Sequence, residues 1–128
     1  MGMYTEIYVN ADLKPDTPQE VLDVLQAICD KDIDAKALQD KPSRWFLLFN
    51  NSSYYTPYTE VGLLVKPEFA AGYSILGKGD IKNYEDEIQQ FFEFIKPWCE
   101  GEFIGYYRYE EDRDPTLVYT TGPKYDFT

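Results

Sequence analysis

The chain contains no histidine. Imidazole is the one side chain that titrates near neutrality unaided. Its absence removes Ser-His-Asp and Cys-His hydrolysis, His-relayed phosphotransfer, HExxH metalloproteolysis and the usual zinc sites together. Cysteine is scarce: Cys29 and Cys99 stand far apart, with no C-x-x-C. Each falls late in an expected helix, which fits a reduced core or boundary residue in a cytoplasmic setting. Long apolar runs are missing as well. "WFLLF" at 45–49 is far short of the roughly 20 residues that cross a bilayer. No basic-then-apolar leader opens the chain, so no secretory signal is expected, and the sequons in Asn50-Asn51-Ser52-Ser53 mean only a polar loop.

Positive charge is also in short supply. Against 23 acids there are 12 bases, a net charge of −11. Such a field repels nucleic-acid phosphates and anionic membranes, so direct binding to either is not expected. It favours a basic partner, or serves solubility alone.

What is present suits one domain over 1–128. The hydrophobic share is 44%, enough for a core, and no segment has a disordered composition. A helix is expected over 17–29. Thr17 and Glu20 form a T-x-x-E capping box, Pro18 takes the first helical position, and Val21, Val24, Leu25 and Ile28 make one apolar stripe. A second helix is expected over about 84–97. Asn83 caps it, Glu85, Asp86 and Glu87 sit at its positive end, Ile88, Phe91, Phe92 and Ile95 form its stripe, and Pro97 marks its end. Each helix has one greasy side and so covers a sheet.

The remaining segments read as strands. Residues 4–11 alternate, with Ile7, Val9 and Ala11 on one side and Tyr4, Glu6, Tyr8 and Asn10 on the other. Residues 44–50, "RWFLLFN", are apolar on both faces, as expected of a central strand. Residues 60–66 and about 72–77 form a hairpin-like pair around "KPEFAAG", and 102–110 with 116–121 a closing pair around "EEDRDP". The order β-α-β-β-β-α-β-β predicts a ferredoxin-like α+β layer, with a mixed or antiparallel sheet and two helices on one face.

Three chemistries can be weighed on the residues. "DKDIDA" (Asp30, Asp32, Asp34) opens like a calcium loop, but Ala35 stands where the turn needs Gly and Lys41 where a bidentate Glu is needed. Gly77-Lys78-Gly79 near a helix start suggests an anion cradle, yet neither phosphate-loop pattern is complete, and a glycine-rich exit from a strand explains it as well. Glu110, Glu111, Asp112 and Asp114 crowd a hairpin tip beside Arg113, where solvent would keep them ordinary carboxylates. No cofactor, metal or catalytic residue is expected, and the chain is read as a non-enzyme.

The aromatic content, 12 tyrosines and 17% overall, points instead to recognition. In 103–110, Phe103, Gly105, Tyr107 and Tyr109 alternate with Ile104, Tyr106, Arg108 and Glu110. If both helices cover one side of the sheet, the other displays Tyr4, Glu6, Tyr8, Tyr106 and Arg108. Tyr and Arg carry much of the energy at interfaces, since each offers area plus a directed polar tip. Glu110, Arg44 and the loop tyrosines Tyr54, Tyr55 and Tyr58 are candidates to extend the patch. Tyrosines that merely shield an open sheet, or a homodimer that buries it, are the plainer explanations.

Two stretches carry a resemblance. The N-terminal "MYTEIYVNADLKPDTPQEVLDVL" and the C-terminal "FIGYYRYEEDRDPTLVY" resemble a family of small proteins from phages, prophages and their bacterial hosts. Those proteins share a strand entering a D-T-P-capped helix and an ending with G-Y-Y-R-Y-E-E-D and P-T-L. The likeness covers both ends, about a third of the chain, and brings no transferable activity. It implies an accessory protein of a mobile element that acts by binding. The leading expectation is a non-catalytic inhibitor of a bacterial defence factor. The alternatives are a sponge for a nucleotide-type signal, with Arg44, Lys78 or Arg108 neutralising phosphate, and an acidic toxin-immunity or nucleic-acid-mimic protein.

Overall fold

The computed structural model describes residues 4–50, 61–83 and 85–120. Five strands, β1 (Thr5–Asp12), β2 (Val61–Val65), β3 (Ser74–Ile81), β4 (Phe103–Tyr109) and β5 (Thr116–Tyr119), form one sheet in the order β2-β3-β1-β4-β5. Every neighbouring pair is antiparallel. Two helices, α1 (Gln19–Cys29) and α2 (Glu87–Ile95), link β1 to β2 and β3 to β4. Each link joins strands that run the same way with one strand between them. This is the split β-α-β arrangement of a ferredoxin-like α+β fold, with β5 added outside β4.

Alternation along β1 decides which side is covered. Ile7, Val9 and Ala11 are buried, while Glu6 and Tyr8 are half-buried and Asn10 and Asp12 exposed. The buried set packs with Val21, Val24, Leu25 and Ile28 of α1 and Ile88, Phe91, Phe92 and Ile95 of α2 in one core. The expected helical stripes and the expected inward face of the first strand are therefore all correct.

One row across the covered face explains how close the helices come. Gly62, Gly77, Val9, Gly105 and Val118 lie in register on β2, β3, β1, β4 and β5. A methyl carbon on Gly77 would overlap the Phe49 ring, and one on Gly105 would overlap the Tyr8 C=O of β1 and come 3.1 Å from the ring of Phe92 in α2. At Gly62 it would meet the Cys29 backbone, at the end of α1, at 3.2 Å. The missing side chains are the space that the covering layer fills.

The segment 44–50 is not the central strand its composition suggests. Trp45–Leu47 wind into a 3-10 turn, with Leu47 N–H donating to Arg44 C=O and Asn50 N–H to Leu47 C=O. Trp45, Leu48 and Phe49 are buried, a spacing of i, i+3, i+4. A run apolar at every position satisfies both periods, and tertiary space chooses. Between β1 and β2, β3 has no edge left along most of its length, while Gly77 and Gly79 leave a hollow above it. Phe49 fills the hollow, edge-on to Phe91 at 5.7 Å, and Trp45 meets Phe91 and Phe94. Only at its far end does β3 accept this segment, through Asp80 N–H to Asn50 C=O at 2.9 Å.

Three local expectations also change. The capping box does not form: Pro18 is the N-cap of α1, and the Thr17 hydroxyl donates back to Lys14 C=O at 2.6 Å. Asn83 does cap α2, accepting from Ile88 N–H at 3.0 Å, although the helix itself starts at Glu87 after a left-handed Asp86. In β4 a bulge between Phe103 and Gly105 breaks strict alternation, so Ile104 is fully buried and Phe103 faces solvent. Gly77-Lys78-Gly79 lies inside β3 and not at a strand exit, with its glycines spent on Phe49 and the Leu48–Asn50 backbone.

Gly77→Ala therefore forces its methyl into the Phe49 ring. Overpacking of this kind costs about 1–3 kcal/mol, and thermal unfolding followed by circular dichroism should fall by several degrees. An unchanged midpoint would refute the close contact.

Candidate functional site: the uncovered sheet face

On the side away from the helices the sheet carries no secondary-structure layer among the described residues. Register places Val61, Lys78, Tyr8, Tyr106 and Leu117 in one row across all five strands. Next to it, Leu63, Leu76 and Asn10 form a second row, and Asp80, Glu6 and Arg108 a third. Beyond the bulge, Phe103 and Tyr119 pair at the far side, edge to face at 5.9 Å. Of the large apolar side chains exposed in this structure, Leu63, Val65, Phe103 and Leu117 stand here, each 45–52% exposed.

The centre is polar and internally satisfied. Lys78 Nζ donates to Glu6 Oε2 at 2.6 Å, and the Tyr106 hydroxyl donates to the same oxygen at 3.2 Å. Tyr8 and Tyr106 stack with ring centroids 5.3 Å apart, and Asn10 Nδ2 donates to the Tyr8 hydroxyl at 3.0 Å. Burial alone would lower the Lys78 pKa, but the bond and charge of Glu6 outweigh it and hold the ammonium above its usual value. Burial, then the Glu6 charge, pushes the Tyr106 phenol up. The cluster thus keeps a charged amine and a neutral phenol at neutral pH. In that state the Lys78 amine is not a free nucleophile and the Tyr106 phenol is not a phenolate base.

The remaining sequence candidates divide. Glu6, Tyr8, Tyr106 and Arg108 meet on this face as expected. Tyr4 and Glu110 extend the strand pairing at its end: Tyr4 N–H donates to Glu110 Oε1 at 2.8 Å, and Glu110 N–H returns to Tyr4 C=O at 3.0 Å. Arg44 belongs elsewhere. On the helix side its guanidinium pairs with the buried Glu87 at 3.2 Å and donates to Lys82 C=O, tying the Trp45 turn to the start of α2. Tyr54, Tyr55 and Tyr58 lie outside the described residues. The apolar flanks were not anticipated. "VGLLV" is apolar at every position, so only pairing with β3 reveals which residues face out, and Phe103 is turned outward by a bulge that alternation cannot foresee.

No protein-family model, curated protein or solved structure matches this chain. Among the described residues, no group of three His, Cys, Asp or Glu is placed to hold a metal ion, and no helix is long and apolar enough to cross a membrane. Cys29 and Cys99 are free thiols whose pKa burial pushes up to about 12. Both behave as packing residues.

The raised pKa values of Lys78 and Tyr106 fix a sign. Folding favours the protonated form of each, so their contribution is complete below the ordinary values of 10.5 and 10.0 and is lost as pH rises through the folded values. Because the cluster is partly solvated, the effect is about 0.5–1 kcal/mol. The urea midpoint of the wild type should drop more steeply above this range than that of Lys78→Met. Parallel curves would show that the contact contributes nothing.

Proposed function

We propose that this chain is a non-catalytic binding protein, an accessory factor of the phage and prophage kind, that inhibits a bacterial defence protein by gripping it with the uncovered sheet face. One observation carries the reading. Half of a five-stranded sheet is sealed by helices, while the other half presents stacked tyrosines and a satisfied Lys-Glu-Tyr cluster between two exposed apolar flanks. Apolar area with directed polar tips at its centre is the composition of a protein interface.

The nucleotide sponge is the competing reading, and the geometry favours it less. A sponge needs a concave site and a cation to spend on phosphate. Lys78 is already committed to Glu6. A groove of about 620 Å³ lies on the helix side, where Val24 and Phe94 are rimmed by Glu20, Asp23 and Asp40 as well as Lys36 and Lys41, and Lys41 is already engaged with Asp40 and the Phe94 ring. The acidic tip at Glu111, Asp112 and Asp114 is exposed and suits steering of a basic partner more than catalysis.

Affinity purification from a bacterial host, with retained proteins and metabolites both identified, tests this. Wild type should hold a specific protein that the Tyr8→Ala/Tyr106→Ala variant loses while keeping its far-ultraviolet spectrum. A nucleotide carried by the wild type alone would favour the sponge. Identical partners for both proteins would sink the surface assignment.

A further inference from the structure

We propose that a second copy of this chain covers the open face when no host partner is present, sheet against sheet, about a two-fold axis parallel to β1. The inference rests on the reading of that face as the binding surface and names its resting occupant.

Charge is the first argument. The chain carries −11, yet the outward positions of the strands hold Glu6, Asp12 and Asp80 against Lys78 and Arg108, with Asp80 itself buried. The face is nearly neutral, so its net field adds little repulsion between two copies, although the axis sets Glu6 and Asp12 of β1 over the partner's Glu6 and the partner's Asp12. Glu6 arrives already paired with Lys78.

Register supplies the second. Because β1 is the middle strand, an axis along it sets β2 of one copy over β5 of the other, and β3 over β4. The row Val61, Lys78, Tyr8, Tyr106, Leu117 then brings Val61 onto the partner's Leu117 and Lys78 onto the partner's Tyr106. One row further, Leu63 and Leu76 come over the partner's Tyr119 and Phe103. Apolar positions meet apolar positions on both flanks, as an isologous contact requires. Aligned sheets stack this way about 10 Å apart.

Area sets the strength. Five strands about 4.8 Å apart and some five residues at about 3.4 Å give a footprint of roughly 20 by 17 Å. That is about 340 Å² on each copy and roughly 700 Å² in total, below the usual size of specific complexes, so the dissociation constant is expected in the high micromolar range. A host partner can displace so weak a dimer.

Sedimentation equilibrium of the full chain, from about 1 to about 300 µM, decides the matter. A monomer–dimer equilibrium that tightens with salt is expected, since added ions screen the acidic remainder. Val61→Glu and Leu117→Lys should each weaken it at least tenfold, and a mixture of the two variants should recover it, because one contact becomes Glu–Lys while the other stays wild type. A chain that is monomeric throughout, or a dimer indifferent to both substitutions, overturns the proposal. A monomer whose host partner is still lost in Tyr8→Ala/Tyr106→Ala leaves the proposed function standing. A normal dimer with an unaffected host partner removes only that function.

Discussion

The architecture depends on a strip of missing side chains. Gly62, Gly77 and Gly105 lie in one row of the sheet, and above them come the end of α1, the Phe49 ring and Phe92 of α2. Interiors are packed to the density of organic crystals, so removing three Cβ atoms from one face invites atoms from the next layer. Both helices and the Trp45 turn accept on the same side. A sheet sealed this tightly on one face has its helices there, and among the described residues no helix lies on the other.

That one-sidedness also sorts the charges. Arg44, which looks available in sequence, is drawn under the layer by the buried Glu87, where removing either partner would strand the other in a poorly solvated place. Lys78 points the other way and is neutralised by Glu6 on the neighbouring strand. The two cations do opposite jobs because successive residues of a strand face opposite sides, while a 3-10 turn lays its residues along one edge.

Much of this was legible in the sequence, and the failures share a cause. Helix stripes at Val21-Val24-Leu25-Ile28 and Ile88-Phe91-Phe92-Ile95, and alternation in residues 4–11, have a single period, and the structure buries each stripe and the Ile7-Val9-Ala11 side. "RWFLLFN" and "VGLLV" are apolar throughout, so period cannot choose between turn and strand or between faces; long-range pairing does that. Ile104 defeats alternation because a bulge between Phe103 and Gly105 shifts the register of β4 against β5. Thr17 satisfies Lys14 C=O in place of a helix amide, one of two local bonds of similar strength. Tyr8, Tyr106 and Arg108 were found because one correct assumption, helices on one side, fixes the outward set.

The two tryptophans follow the same division. Trp45 is buried against Phe91 and Phe94, with its indole N–H lacking a protein acceptor, and Trp98 packs against the same core. Both indoles therefore belong to the layer beneath the sheet, and among the described residues the rings on the opposite surface are phenols and the Phe103 benzyl. Indole emission reports whether the interior is intact and stays quiet when something settles outside, whereas tyrosine absorbance or ring resonances change with contact. The molecule thus carries two separate optical channels, one for its interior and one for contact at the open face.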